Sequence, residues 1–446
     1  MVNVFESLIK LENINMYHTF YIKTMGCQMN EYDSDHLAML LINNGWIPED
    51  NPEKADLILI NTCAVRAKPE QKAASFLGRM LAIKRKNPEI ILAVSGCMAQ
   101  NEGVNFIKRF PQLDLVMGPR EIGRFLSHLQ QIRTQRKRII ATDLQFPPPR
   151  PEPCDGFFEG RITGFVSIME GCNNFCSYCI VPFVRGREIS RPPGDIIAEV
   201  QNLISDGVKD ITLLGQNVMS YSWENRDFAS ILREVSQTEG LMRVRFTTSH
   251  PKDLSDKVIQ CFKDIDNLCH HLHLPFQAGS NAVLKKMKRG YTREQYLELI
   301  TRLREVQPDI ALTSDVMVGF PGESEKDFEM TLDMIRQVQF DNLFSFKYSD
   351  RKGTIAYKMN EKIEETEKTR RLKVLQDLQK KITLKKNTLL KGVDIEVLVE
   401  GQSKKGRQMT GRSCTNKIVN FTDENCKIGD IVKVKIKECF FNSLRA

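Results

Sequence analysis

Three times in its first hundred residues the chain ends a strand-like run, places a cysteine, and begins a helical pattern. FYIKTMGCQMNEYDSDHLAMLL does this at Cys27, DLILINTCAVRAKPEQKAASFLGRML at Cys63 and EIILAVSGCMAQNEGVNFIKRF at Cys97. The cysteines lie 36 and 34 residues apart, close to one βα unit each. Strands alternating with helices predict a parallel sheet. Loops after the strands of such a sheet open on one edge, where ligands bind. Three thiols distant in sequence would then share one rim. A single cysteine in that slot is as readily packing filler as ligand, whereas three in the same slot favour a ligand set.

The middle of the chain alternates in the same way. Strand candidates are TGFVSIM (163–169), DITLLG (210–215), RVRFTTS (243–249), HHLHLPF (270–276), ALTSDVMVGF (311–320) and NLFSFKYS (342–349), with helical patterns between them. Six such units predict a parallel barrel, full or partial, whose working face is the C-terminal end of its strands. Directly after the first strand stands GCNNFCSYC, with Cys172, Cys176 and Cys179 inside eight residues. Zinc in a structural site wants four protein ligands, and Cys154 or one of His270, His271 and His273 would serve as the fourth. An iron–sulfur cluster is also held by thiolates, and one given only three keeps an iron open for another ligand.

Two breaks divide the chain. QFPPPRPEPCDG (145–156) has five prolines in seven positions, which neither a helix nor a central strand sustains. The charged run EKIEETEKTRRLKVLQDLQKKITLKKN (361–387) spaces Ile363, Leu372, Leu375, Leu378 and Ile382 as an amphipathic helix would. Short strand patterns follow it. Three parts are expected: 17–146, 157–383 and 384–446. The first dozen or so residues read as a loose extension. The last part holds thirteen Lys and Arg against seven Asp and Glu, most of the whole chain's +8. A small basic β-barrel of the OB kind is suited to an RNA backbone, although a solvated charged surface has the same composition.

No apolar run reaches 18 residues, so no membrane span is expected. MVNVFESLIKLENINMYH fits neither a signal nor a transit peptide. Twelve cysteines without an export signal point to a reducing, cytoplasmic compartment and to metal binding by the clustered ones. Cys154, Cys261, Cys269, Cys414, Cys426 and Cys439 read as small hydrophobes.

CxxxCxxC with an aromatic before its third cysteine resembles the loop of the radical S-adenosylmethionine (SAM) enzymes. The resemblance extends over nearly the whole chain to the radical SAM methylthiotransferases. It is carried by GCQMNEYDS, NTCAVR, SGCMAQ, EGCNNFCSYCIVPFVRGREISRP, TSHP, LPFQAGSNAVLKKMKRGYT and SDVMVGFPGE. It implies an N-terminal α/β domain, a partial (β/α)6 radical SAM barrel and a C-terminal TRAM domain. It implies two 4Fe-4S clusters: one on Cys172, Cys176 and Cys179, whose open iron chelates SAM, and one on Cys27, Cys63 and Cys97, which carries sulfur. Tyr178 would lie against the SAM adenine. Gln216, Ser249, Gln277, Ser314 and Gly319, at strand ends, would approach SAM, and each is equally ordinary turn chemistry.

The implied reaction adds a methylthio group to carbon 2 of an N6-isopentenylated adenosine just 3′ of a tRNA anticodon. One SAM would methylate the sulfur and a second would yield the radical that removes hydrogen. An aromatic C–H is beyond the reach of side-chain bases, whose working range lies near neutral pH. Sibling reactions act on threonylcarbamoylated adenosine or on a ribosomal-protein aspartate. A non-catalytic metal-bearing RNA-binding module is a further alternative. The partners expected are the anticodon stem-loop, whose base must leave its stack, and an electron donor of the flavodoxin or ferredoxin kind. The chain is expected to act as a monomer. Arg185, Arg187 and Arg191, just past the cysteine loop, suit either phosphate positioning or internal salt bridges.

Overall fold

Runs such as LILINT and ILAVSG are apolar without alternation, and in the computed structural model both are strands buried at every position, as a sheet covered on both faces requires. The structure describes residues 18–446 apart from 65, 66, 404, 405, 407 and 424, and for 67–71 the backbone only. The loose extension, the residue-17 boundary, Val65 and Arg66 of NTCAVR, and Lys404, Lys405 and Arg407 of the basic count lie outside the described residues.

The first sheet runs through β1 (Thr19–Met25), α1 (Gln28–Asn43), β2 (Ile47–Pro48), β3 (Leu57–Thr62), α2 (Ala67–Lys86), β4 (Ile91–Gly96), α3 (Cys97–Glu102), β5 (Leu115–Met117) and β6 (Ile139–Ala141). Its order is β2-β1-β3-β4-β5-β6 and every pairing is parallel. Cys27, Cys63 and Cys97 follow β1, β3 and β4, three neighbouring strands, and so occupy one edge as the repeat requires. The proline-rich stretch then crosses to the second part without helix or strand.

Six parallel strands form an open barrel: Thr163–Ser167, Asp210–Leu214, Arg243–Phe246, His271–His273, Ala311–Val318 and Asn342–Lys347. They pair as two groups of three, joined by a bridge between Val244 and Leu268. Among the described residues the first and last strands do not pair. Helices cover the outside, and one continuous core of Val200, Leu203, Ile231, Phe262, Tyr296, Phe328 and Ile335 packs beneath them.

The amphipathic run forms the helix Glu365–Thr388, which packs on strand Asn342–Lys347 and delivers the chain to its last sheet. That sheet is curled and six-stranded, in the order Ile431–Lys435, Asp394–Gln402, Met409–Ser413, Ile418–Phe421, Leu444–Arg445, Glu438–Cys439. It has its own small core of Val397, Val399, Val419, Phe421, Ile436 and Leu444.

The curled sheet closes the barrel floor, where the strands begin. Arg243 donates to the Arg412 carbonyl, Arg245 to Ser413 O at 3.1 Å and Lys209 Nζ to Gly429 O at 2.9 Å. Lys417 of the sheet and Lys386 of the long helix both grip Asp341. No helix among the described residues is long and apolar enough to cross a membrane.

Candidate active site

At the first cysteine set, Cys27 stands at the N-terminus of α1 with its thiol 3.4 Å from Asn30 Oδ1. Beneath it lies a buried polar lattice. Asn30 Nδ2 donates to Asn61 Oδ1 at 3.0 Å, and Asn61 Nδ2 donates to Asn30 O and Ser34 Oγ. Glycine precedes two of the three cysteines for a reason of space. A Cβ on Gly26 would stand 2.1 Å from Asn30 Oδ1, and one on Gly96 would stand 2.4 Å from Asn61 Oδ1. A hydrogen bond from Cys63 lowers the Cys27 thiol to about 5 against the upward push of burial, and Arg185 helps. Burial pushes Cys97 upward while Arg185 opposes it.

The second set follows the first barrel strand. Gly171, at φ +84°, turns the chain into the loop, and Gln216 Oε1 accepts its N–H at 2.5 Å. Burial raises the Cys172 thiol and pushes Cys179 up to about 12. Arg289 donates to Cys176 Sγ at 3.2 Å.

The two sets share a wall. Ile180 and Val184, directly after the second loop, pack in one apolar cluster with Cys97. Arg185 Nε donates to Cys97 Sγ at 3.3 Å while its Nη atoms pair with Asp33 and Glu170. Arg120 meets Glu170 at 3.0 Å and caps the Arg185 carbonyl. Of the three arginines expected to touch either phosphates or carboxylates, Arg185 and Arg191 are therefore internal. Arg191 pairs with Glu199 at 2.6 Å and donates to Tyr32 Oη. Arg187 lies exposed over the Phe175 ring.

Of the remaining residues expected near SAM, Tyr178 lies in the cysteine loop and Ser249, Gln277 and Gly319 lie beyond strand ends, whereas Ser314, expected at a strand tip, sits inside the strand Ala311–Val318. The Tyr178 hydroxyl is 3.5 Å from Arg289. Ser249 Oγ donates to His273 O at 2.5 Å, and Gln277 holds a left-handed turn at φ +65°. Ser314 is fully buried, donating to Leu274 O and accepting from Phe276 N–H. Gly319 takes φ +72° and its N–H donates to Glu323.

Below these residues the barrel holds an open cavity of about 800 Å³ that reaches Cys27 at one side and the curled sheet at its floor. Each strand contributes alternate residues: Thr163 and Phe165, Asp210 and Thr212, Arg245 and Thr247, His271 and His273, Thr313 and Asp315, Asn342 and Phe344. Closed barrels of this kind are filled by branched apolar side chains; here every strand also turns polar side chains into the lumen.

Thr313 Oγ1 lies 3.0 Å from both His271 Nε2 and His273 Nδ1. A hydroxyl donates only once, so one imidazole accepts from Thr313 and the other donates to it. His273 Nε2 is also 3.7 Å from Asp315. These histidines serve the lumen rather than a zinc site with Cys172, and Cys154 lines a separate cavity beside Asp195 and Asp206. Sequence reasoning singled out neither Arg289, nor Asp33, nor the Asn30–Asn61 pair.

The donors suit thiolate-ligated clusters. Each set offers three thiols with one guanidinium on a sulfur, which stabilises the ionised ligand. Among the described residues no three Cys, His, Asp or Glu side chains close on a single ion.

Family profiles cover the same three regions. The Radical SAM superfamily matches residues 166–335, the TRAM domain 389–446, and a family described as Uncharacterized protein family UPF0004 matches 19–118. Among solved structures the radical SAM methyltransferase TsrM from Kitasatospora setae aligns with TM-score 0.55 at 15% identity, over 74% of this chain and 72% of that one. The radical SAM enzyme OxsB aligns with TM-score 0.52 at 13% identity, over 82% and 56%. Those two likenesses concern the fold, which is that of a radical SAM enzyme with an added TRAM domain.

Curated relatives narrow the class. The tRNA-2-methylthio-N(6)-dimethylallyladenosine synthase of Syntrophus aciditrophicus is 49% identical over 98% of this chain and 95% of its own length. The enzymes of the same name from Geobacter sulfurreducens and Clostridium botulinum are 45% and 44% identical over 95% and 96% of the chain, and 96% of their own lengths. The chain belongs to this family of radical SAM methylthiotransferases and is a transferase.

Proposed function

We propose that the chain adds a methylthio group to carbon 2 of N6-isopentenyladenosine at position 37 of tRNA, consuming two SAM per product. Residues 17–146 would carry the sulfur-bearing cluster, 157–383 the SAM-bound cluster, and 384–446 an RNA grip. When bound, clusters and SAM supply one-electron cleavage of the sulfonium bond and the sulfur to be inserted.

The chain's own residues then have definite work. Cys172, Cys176 and Cys179 hold one group on a loop fixed by Gly171 and Gln216. Cys27, Cys63 and Cys97 hold the other over the Asn30–Asn61 lattice. The lumen admits the flipped base: Phe165 and Phe344 offer faces for it, while Thr313, His273 and Asp315 offer hydrogen bonds to its edge. The curled sheet excludes water from below. Lys391, Lys427, Lys433, Lys435 and Lys437, all exposed, face solvent where phosphates would lie.

The observation that carries this reading is Arg185. It leaves the end of the second cysteine loop and reaches a thiol of the first set, so the two sets stand across one wall. The test is nucleoside mass spectrometry of tRNA from cells lacking the gene. Loss of methylthio-isopentenyladenosine, restored by the gene, supports the reading. Loss of a methylthio-threonylcarbamoyl nucleoside instead would assign the sibling reaction. Cys63→Ala is expected to abolish methylthiolation and leave SAM cleavage measurable. If cleavage vanished and iron fell to zero, separate roles for the two sets would be unsupported.

A further inference from the structure

Two buried guanidiniums touch cysteine thiols in this protein, and their surroundings differ in net charge. Arg185 is opposed by Asp33 and Glu170, and Arg120 shares Glu170. Two cations face two carboxylates, so that cluster of side chains is neutral. Arg289 is 4% exposed. Its partners are Cys176 Sγ at 3.2 Å, the Tyr178 and Tyr291 hydroxyls at 3.5 and 3.3 Å, and the Pro275 carbonyl at 2.9 Å. None of these is a carboxylate, and among the described residues no Asp or Glu pairs with it. An arginine does not shed its proton to escape burial, and a lone enclosed charge is strongly unfavourable. Cys176 is the only one of these partners that belongs to the cysteine loop.

We infer that Arg289 is the counter-charge of the group held by Cys172, Cys176 and Cys179 and sets that group's reduction potential, whereas Arg185 orients Cys97 without adding net charge. The inference rests on the reading that this loop holds an iron–sulfur cluster. A fixed cation hydrogen-bonded to a ligating sulfur stabilises the reduced, more negative cluster and raises its potential. With no such net charge at the first set, an incoming electron is directed to the second. Arg289 is thus a positioning residue that acts through Cys176. The sequence places it in KMKRGYT, where its lack of a carboxylate partner is invisible.

The experiment uses the full chain with Cys27, Cys63 and Cys97 replaced by Ala, reconstituted anaerobically with iron and sulfide. The midpoint potential of the remaining cluster is read by EPR-monitored redox titration. Arg289→Gln is expected to shift the midpoint to a more negative value at full iron content. Arg289→Lys, which keeps the charge, is expected to restore most of that shift. Arg185→Gln combined with Asp33→Asn, which removes one charge of each sign and so leaves the net charge unchanged, is expected to move the midpoint of a chain keeping only the first set far less.

An unmoved midpoint in Arg289→Gln, or equal shifts in the Gln and Lys variants, overturns the inference. If Arg289→Gln takes up no iron but Arg289→Lys does, with unchanged apo-protein melting, the counter-charge role is supported. If both fail to take up iron, geometry rather than charge is at work and the inference falls. If the parent without Cys27, Cys63 and Cys97 holds no iron, the cluster reading itself fails and takes the inference with it.

Discussion

Gly171 has no room for a side chain. A Cβ there would stand 2.0 Å from the Arg187 carbonyl, and its φ of +84° is one that other residues adopt at a cost. Gly171→Ala is therefore expected to displace the loop of Cys172, Cys176 and Cys179, measured as iron lost from a chain keeping only that set. Cys414 offers a second residue-scale test. A hydrogen bond from Cys269 lowers its thiol to about 5 against the push of burial, with the His270 N–H, 3.2 Å from its sulfur, assisting. Cys414 is then thiolate at neutral pH, and its alkylation by iodoacetamide is expected to fall only as pH drops through about 5. Cys269, pushed upward, stays inert. Peptide mass mapping against Cys414→Ser checks both. The reading of Cys414 as a small hydrophobe missed this, because its partner is 145 residues away in sequence. The common edge of Cys27, Cys63 and Cys97 was legible because they repeat in one structural slot. Arg289 was not, since its significance lies in what does not surround it.

Element by element, the period of the pattern told strand from helix well, and the run 361–387 became the helix Glu365–Thr388. The same period misleads about sidedness. Polar residues at every second position, as in His271 and His273 or Thr313 and Asp315, ordinarily mark a solvent face. Here they line the barrel interior. The ambiguity over Arg185 and Arg191 had the same origin: a short basic stretch looks identical whether it faces phosphates or buried carboxylates. Arg185→Gln leaves Asp33 and Glu170 enclosed without their main cation and is expected to destabilise the fold by about 3–5 kcal/mol. Urea denaturation of the metal-free chain measures it. Glu170→Gln combined with Arg185→Gln is expected to cost less than the sum of the two, because fewer charges remain unpaired.

At the scale of the molecule, two of the lysines that composition alone assigned to RNA help to fasten the last part of the chain to the barrel. Lys417 and Lys386 flank Asp341, whereas Arg412 meets Glu400 at 3.1 Å inside the sheet itself. Burial pushes the Asp341 carboxyl up, but the two lysines outweigh it and hold the group below the usual carboxylate range. A depressed carboxylate stabilises above its unfolded value, about 3.9, and loses that contribution as pH falls through the lower folded value. The latch is therefore expected to hold at neutrality and release only in acid below about pH 4. Asp341→Asn is expected to cost about 3 kcal/mol at neutral pH and to raise protease sensitivity between the long helix and the sheet. The barrel and the final sheet were each legible as strand patterns, but their mutual docking was not, because it is written in pairs of residues 76 to 220 apart.

The fastening changes what a truncation means. Cutting the chain after the long helix would remove the proposed handle for nucleic acid and, in the same stroke, uncork the barrel in which we place the chemistry. Arg243 and Arg245 would lose their carbonyl partners and bulk water would reach His271 and Asp210. Such a shortened protein would fail on small substrates as well as large ones, and its failure would say little about grip.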